Sequence, residues 1–292
     1  MKQIVVISGK GGTGKTVVAG SFASLANQKV MADCDVDAAD LYLLLHPTIK
    51  EKHKFSGGKK AVIDKDRCTG CKKCMEVCRF EAIKEIRSQI VVDAISCEGC
   101  GVCKYVCPEQ AIRIEEVVNG EWYISDTKYG PLVHAKLGIA GENSGKLVTV
   151  VKQNAKLVAE KGNADYIIID GPPGIGCPVI ASIGGADIAL IVTEPTLSGM
   201  HDMERVIGVA KHFGIKTVVC INKYDLNLKN TQAIEEYCQK SNIKVVSKVP
   251  FDKAVIEALV KEMPVVEHSD SSASKEIKDL WDKVQEELKD GK

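Results

Sequence analysis

The chain has 292 residues, 45% of them hydrophobic, and its 39 basic side chains balance 39 acidic ones to a formal net charge of zero. That composition supplies a core for one large or two smaller domains, and it excludes a global electrostatic pull toward nucleic acid or an anionic membrane. The sequence has no 18-residue apolar run, so no membrane-spanning helix is expected.

The opening stretch, MKQIVVISGKGG, runs straight from an apolar strand into a glycine-rich turn. It lacks the apolar stretch and cleavage site of a leader, which predicts a cytoplasmic protein. Near-continuous β-branched runs at Ile4–Ser8, Val30–Asp33, Tyr166–Asp170, Ile188–Thr193, Thr217–Asn222 and Val245–Val249 predict buried parallel strands. Helical patterns at Thr16–Ala26, Leu147–Lys161, Met200–Phe213 and Thr231–Lys240 lie between them. The alternation predicts an α/β fold with a doubly wound, mostly parallel sheet.

After His46-Pro47 the rhythm breaks. Glu51–Lys60 is polar, contains Gly57-Gly58, and is expected to be a linker. From Ala61 to Val117 the order of elements repeats: a short strand (Ala61–Ile63; Ile90–Val92), four cysteines, then a helix-like turn at Ala82-Ile83 or Ala111-Ile112. Gly120–Leu137 is expected to form a hairpin, and Ser274–Lys289 a last helix with its apolar side on the core. The domains expected are 1–56 with 118–292 for nucleotide, and an insert at 57–117.

Gly9–Thr16 reads GKGGTGKT after a strand and before a helix. Gly9, Gly11, Gly12, Thr13 and Gly14 are placed to aim backbone N–H groups at phosphate oxygens. The helix start adds its positive dipole end. Lys15 is expected on the β- and γ-phosphates and Thr16 on Mg²⁺. The second lysine, Lys10, marks a deviant form of this loop. With it, the chain resembles the MinD/ParA-type ATPases, which include the nitrogenase iron protein and the Mrp-type cluster carriers. The resemblance covers about 1–50 and 120–265.

The resemblance implies several roles. Lys10 would reach across an ATP-dependent dimer, formed with a second copy or a paralogous chain, to stabilise the transferring phosphoryl. Asp35, in Asp33-Cys34-Asp35, would orient water or bind Mg²⁺; Asp33, Asp37 and Asp40 are equally well explained as caps. Asp170, before Gly171-Pro172-Pro173-Gly174, would hold Mg²⁺ through water, in a loop free to respond to the γ-phosphate. Asn222, Pro250 and Asp252 would flank the base. Asn222-Lys223-Tyr224-Asp225 also has the form of a guanine-reading motif, but Lys10 and the D-x-P-P-G order favour ATP over GTP.

Twelve cysteines in a leaderless chain point to metal ligation rather than disulfides. Cys68, Cys71, Cys74 and Cys78 have the C-x2-C-x2-C-x3-C spacing of [4Fe–4S] ligands, and Cys97, Cys100, Cys103 and Cys107 repeat it. Over about 61–117 this resembles a bacterial two-cluster ferredoxin, an α+β module. In such a module the fourth cysteine of each run crosses over. One cube then takes Cys68, Cys71, Cys74 and Cys107, and the other Cys97, Cys100, Cys103 and Cys78. Arg79 stands where such modules usually have proline. Nine basic residues of the first half, from Lys59 to Arg87, face five acids, which would suit an acidic electron partner or a solvated surface equally.

Cys177 lies at the offset of a bridging-cluster ligand of the nitrogenase iron protein, but Glu142–Lys146, where the second ligand would fall, has no cysteine. A switch-coupled or buried thiol is expected there. Cys34, Cys220 and Cys238 read as core residues, and the six histidines form no spaced constellation.

The expected function is an ATP-hydrolysing iron–sulfur protein that couples nucleotide-driven dimerisation to electron transfer toward a redox or iron–sulfur partner. Its cofactors would be two [4Fe–4S] clusters, ATP and Mg²⁺, with no nucleic-acid or membrane partner. The rivals are a cluster-carrier ATPase and a MinD/ParA-like positioning ATPase.

Overall fold

The computed structural model describes residues 1–138 and 144–289. Its first elements are β1 (Lys2–Ser8), α1 (Lys15–Leu25), β2 (Lys29–Asp33), α2 (Leu41–Leu45) and β3 (Thr48–Ile63). Next come α3 (Lys73–Glu76), β4 (Ile83–Ile86), β5 (Gln89–Val92), α4 (Val102–Val106), β6 (Ile112–Thr127) and β7 (Gly130–Leu137). The chain continues through α5 (Ser144–Lys161), β8 (Tyr166–Pro173), α6 (Cys177–Ile183), β9 (Ile188–Thr193), α7 (Leu197–His212) and β10 (Lys216–Asn222). A 3₁₀ turn (Tyr224–Leu226), α8 (Leu228–Lys240), β11 (Lys244–Val249), α9 (Lys253–Val260), α10 (Val265–His268) and α11 (Ser272–Lys289) complete it.

Two compact units result. The first comprises Met1–His53, Trp122–Lys136 and the chain from Ser144 onward; the second comprises Lys54–Glu121 and the segment that starts at Leu137. The sheet order is β11-β10-β9-β1-β8-β2-β7-β6-β3. From β11 through to β7 every neighbouring pair is parallel. The fold is therefore an α/β P-loop type with a mostly parallel sheet. Its strands are apolar on both faces because helices cover both: β9 is buried at all six residues, and β1 from Ile4 to Ser8. β8 and β9 flank β1, so the strand order reverses there, and ligand sites of open parallel sheets form at the carboxyl ends of such strands. Trp281 of α11 packs on Phe22 of α1 (ring centroids 4.9 Å apart) and on Tyr166 (5.4 Å), which closes one side of the core. Among the described residues no helix is long and apolar enough to cross a membrane.

Two local expectations are corrected. The polar stretch Glu51–Lys60 is not a linker but the middle of β3, a strand at the end of the sheet order. An edge strand carries lysines and buries little, so it reads as loop in sequence. Its Gly57 N–H donates to Asn119 Oδ1 at 2.8 Å. The Ala-Ile pairs of the repeat open strands rather than helical turns, with Ile83 starting β4 and Ile112 starting β6. The helical turns, α3 and α4, instead carry the third cysteine of each run, Cys74 and Cys103.

The second unit repeats itself in its hydrogen bonds. Asp64 N–H donates to Ala111 O (2.7 Å), as Asp93 N–H does to Ala82 O (2.6 Å). Cys68 N–H donates to Asp64 O and Cys97 N–H to Asp93 O, both at 3.1 Å. Its core is thin. Beside Ala61, Ile83, Ile90 and Ile112 it consists largely of Cys74, Cys103, Cys68, Cys78, Cys97 and Cys107.

Candidate nucleotide and thiolate sites

The loop from Gly9 to Thr16 joins β1 to α1 at the carboxyl edge of the sheet. Gly14, the residue before α1, has φ 96°, and a Cβ there would stand 2.4 Å from Asn222 Nδ2. Only glycine meets both demands. That same Asn222 Nδ2 donates to Thr13 O at 2.8 Å, so Asn222 braces the loop from the end of β10.

Lys15 is 6% exposed, and its Nζ lies 3.5 Å from Asp35 Oδ2. Asp33, at the end of β2, and Asp170, inside β8, are register partners, so three carboxylates gather beside one ammonium. Asp170 is 1% exposed; burial pushes its carboxyl up to about 6, against the pull of Lys15 and of a hydrogen bond from Thr16. Asp33 is also raised well above its ordinary range, by burial and by Asp170. Asp35 is raised by burial, with Lys15 opposing. Asp33 has a structural task, since its oxygens accept from Asp35 N (3.1 Å) and Leu41 N (3.3 Å). Asp37 and Asp40 are exposed, and Asp40 precedes α2 without a side-chain capping bond. Asp170 Oδ1 and Thr13 Oγ1 are buried with no hydrogen-bond partner in the protein. Buried polar atoms are almost always satisfied, and these two sit where a cation and a phosphate would satisfy them.

Lys10 is held within its own chain. Its Nζ is 2.6 Å from Glu194 Oε1 and 3.2 Å from both Thr196 Oγ1 and Ser198 Oγ. Lys223 Nζ approaches the other oxygen of Glu194 at 3.4 Å. Burial alone would raise the Glu194 carboxyl; the two lysines outweigh it and hold it below its ordinary range. Glu194 is a residue the sequence reading missed, although an acid just after a buried strand, as at Asp170, was the available signal.

The proposed base-flanking residues are already engaged. Asp252 caps α9 through Ala254 N (2.9 Å) and holds the start of α11 through Ala273 N (3.2 Å) and Ser272 Oγ (3.1 Å). Asp225, the acid of the guanine-reading pattern, accepts from Phe251 N at 2.7 Å. Pro250 lines a polar cleft with Tyr224 and Lys248. Lys152 was also missed: its Nζ donates to Ser182 O (2.7 Å), Ala181 O (3.1 Å) and Gly184 O (2.6 Å), where it caps the end of α6. Cys177 is exposed at the start of that helix, and Cys34, Cys220 and Cys238 are buried. Residues 142 and 143 of the expected bridging segment lie outside the described residues.

In the second unit all eight cysteines of the two runs are free thiols. They line two cavities. Cys68, Cys71, Cys74 and Cys107 line one, a small hollow. Cys78, Cys97, Cys100 and Cys103 line the other. Each set takes three cysteines from one run and the last from the other. Ala111 N–H donates to Cys107 Sγ (3.3 Å), and Ala61 N–H to Cys97 Sγ (3.5 Å). Among the described residues no three His, Cys, Asp or Glu side chains converge closely enough to hold a single metal ion.

A glycine-rich loop between a buried strand and a helix, with its lysine and threonine facing a carboxylate on the next strand, defines a P-loop nucleotide-binding protein. Residues 4–265 match the family model of the CobQ/CobB/MinD/ParA nucleotide binding domain, and the chain belongs to that family. It is a P-loop ATPase of the MinD/ParA type.

An uncharacterized protein of Methanocaldococcus jannaschii is 34% identical over 289 residues, covering 97% of this chain and 96% of the relative. An iron-sulfur cluster carrier protein of Pyrococcus horikoshii is 27% identical over 160 residues. The septum site-determining protein MinD of Bacillus subtilis is 30% identical over 141. The chain spans about half of each of these last two, 54% and 52%. The solved structure of MinD from Pyrococcus horikoshii, complexed with Mg-ADP, matches the fold with a TM-score of 0.60 at 17% identity, covering 100% of this chain and 98% of that one.

Proposed function

We propose that this chain is an iron–sulfur ATPase, in which a MinD-like nucleotide unit is joined to a two-cluster electron-transfer unit. The observation that carries the reading is the pair of four-cysteine cavities, each built three-plus-one from the two runs. A thin core in which cysteine outnumbers isoleucine supports it, because a unit this small needs a cofactor or staple to fold firmly. When bound, the cubes would supply one-electron chemistry. The cysteines named would hold them, and the amides of Ala61 and Ala111 would stabilise the thiolate charge.

At the nucleotide site Lys15 and the loop amides would hold ATP, and Thr16 and Asp170 would hold Mg²⁺. Asp35 would turn from Lys15 to water or metal. The two unsatisfied buried atoms, Asp170 Oδ1 and Thr13 Oγ1, support that occupancy. Lys10 would leave Glu194 for the nucleotide of a second, like or paralogous, subunit. A redox or iron–sulfur protein in the cytoplasm would exchange electrons with the cysteine unit.

Protein prepared without oxygen is expected to carry about eight iron and eight sulfide per chain, as two cubes require. Addition of Mg-ATP is expected to change the clusters' electron-resonance signal in wild type, while Lys15→Ala keeps the iron and loses that response. Full ATPase activity in a chain that takes up no iron would defeat the reading. The second reading is a cluster carrier, supported by the likeness to iron-sulfur cluster carrier proteins of Pyrococcus horikoshii and Pyrococcus abyssi at 27% and 25% identity. ATP-dependent transfer of labelled iron to an apo-acceptor would select it.

A further inference from the structure

The duplication in the cysteine unit provides an internal control, because each position in one half has a counterpart in the other. Gly70 and Gly99 are both left-handed (φ 71° and 62°), as are Glu81 and Gln110 (φ 51° and 48°). Lys72 and Gly101 also correspond, with φ 61° and 80°. The second half places glycine at this last point, where the conformation is free; the first half accepts the strain of a side chain. A side chain kept where glycine suffices calls for a reason beyond the backbone.

The reason is legible in what lines the two cavities. Lys72 and Thr69 line the one built on Cys68, Cys71, Cys74 and Cys107. Their counterparts Gly101 and Glu98 line the other. One pair opposes this trend, since Glu109 lines the first cavity and its counterpart Phe80 the second. Arg67, exposed beside it, donates to the backbone O of Glu109 at 2.9 Å and so brings a cation near that residue, whereas the residue matching Arg67 is the neutral Ser96. Lys72 also pairs with Glu85 at 2.6 Å, which offsets part of its charge, but Glu85 does not line the cavity as Lys72 does. Backbone N–H bonds to sulfur do not distinguish the two sites, since Cys107 of the first and Cys97 of the second each accept one.

We propose that the unit holds its two cubes at unequal potentials: the site of Cys68, Cys71, Cys74 and Cys107 accepts the first electron, and the site of Cys78, Cys97, Cys100 and Cys103 is the lower-potential one. This rests on the iron–sulfur reading above. Reduction adds negative charge to a thiolate-bound cube, so nearby cations favour it, while a carboxylate or an apolar wall disfavours it. Lys72 supplies the cation on the wall of the first site, with Arg67 next to Glu109 behind it. Glu98, with Val77, Phe80 and Val102, supplies the opposite at the second. Cys74 and Cys103 share one core, which gives a short path between the sites. An electron passed along it oxidises the second site by one and reduces the first by one, with no proton moved and no bond broken.

The test is a potentiometric titration of oxygen-free protein with dithionite, followed by electron resonance, with iron content measured on every sample. Wild type is expected to reduce in two waves. Lys72→Gly relieves the backbone, so it should fold at least as well; it is expected to shift the first wave to lower potential and leave the second in place. Lys72→Arg should keep the wild-type first wave, and Glu98→Gln should raise only the second. A single wave in wild type, or Lys72→Gly moving the second wave, overturns the inference while leaving the cluster reading intact. A chain that takes up no iron overturns both.

Discussion

Asp170 gives the sharpest test of the nucleotide site because its environment is hostile to its own charge. It is 1% exposed, beside Asp33 and Asp35, and burial carries its carboxyl from 3.8 to about 6. A shift of about two units corresponds to about 3 kcal/mol against the ionised form in the folded protein. Asp170→Asn removes that penalty. Below about pH 4 the carboxyl is protonated whether the chain is folded or not, so the variant gains little. Between about 4 and 6 the unfolded chain releases the proton while the folded chain retains it, and wild type loses stability as pH rises. Above about 6 the full difference is present. Thermal unfolding in EDTA should therefore find the variant more stable by roughly 6 °C at pH 7.5 and nearly equal to wild type at pH 4. Mg-ATP should reverse the order at pH 7.5, stabilising wild type and not the variant. A variant that is less stable without metal at pH 7.5, or whose gain is the same at both pH values, refutes the reasoning.

Other substitutions probe the supports of that site. Gly14→Ala forces a Cβ to 2.4 Å from Asn222 Nδ2 at φ 96°; at least a tenfold loss of ATP affinity is expected by calorimetry, since the loop must deform to bind. Asp252→Ala removes the caps that start α9 and α11, and should cost about 1 to 2 kcal/mol in denaturant titration while leaving iron content unchanged. Glu287 is 7% exposed and receives Lys216 at 2.8 Å and Lys244 at 2.5 Å, hydrogen bonds that hold its carboxyl below the usual range. Its stabilisation is present above the unfolded carboxylate's pKa and lost as pH falls through the lower folded value. Glu287→Gln should therefore destabilise by about 1 kcal/mol at pH 7 in urea titration, and by less at pH 3.5.

The sequence by itself determined the sheet, the phosphate loop and the two cysteine runs. Each is written locally: short continuous β-branched runs bounded by turns suit buried parallel strands, and GKGGTGKT and the cysteine spacings hold their chemistry in a few consecutive residues. The places of Lys15 and Thr16 at the start of α1, and of Asp170 in the buried strand β8, could be read for that reason. Only the tertiary structure decided what depends on residues far apart in the chain. It brought Glu194 to Lys10 and Lys152 to the end of α6, engaged Asp252 as a cap for two helices, and turned the polar stretch around Gly57-Gly58 into part of β3. No local pattern encodes those contacts, because a lysine's reach and an edge strand's pairing are set by which element folds beside them. The unlike linings of the two thiolate cavities belong to the same class: the residue differences stand in the sequence, but packing alone put Lys72 and Glu98 on the cavity walls.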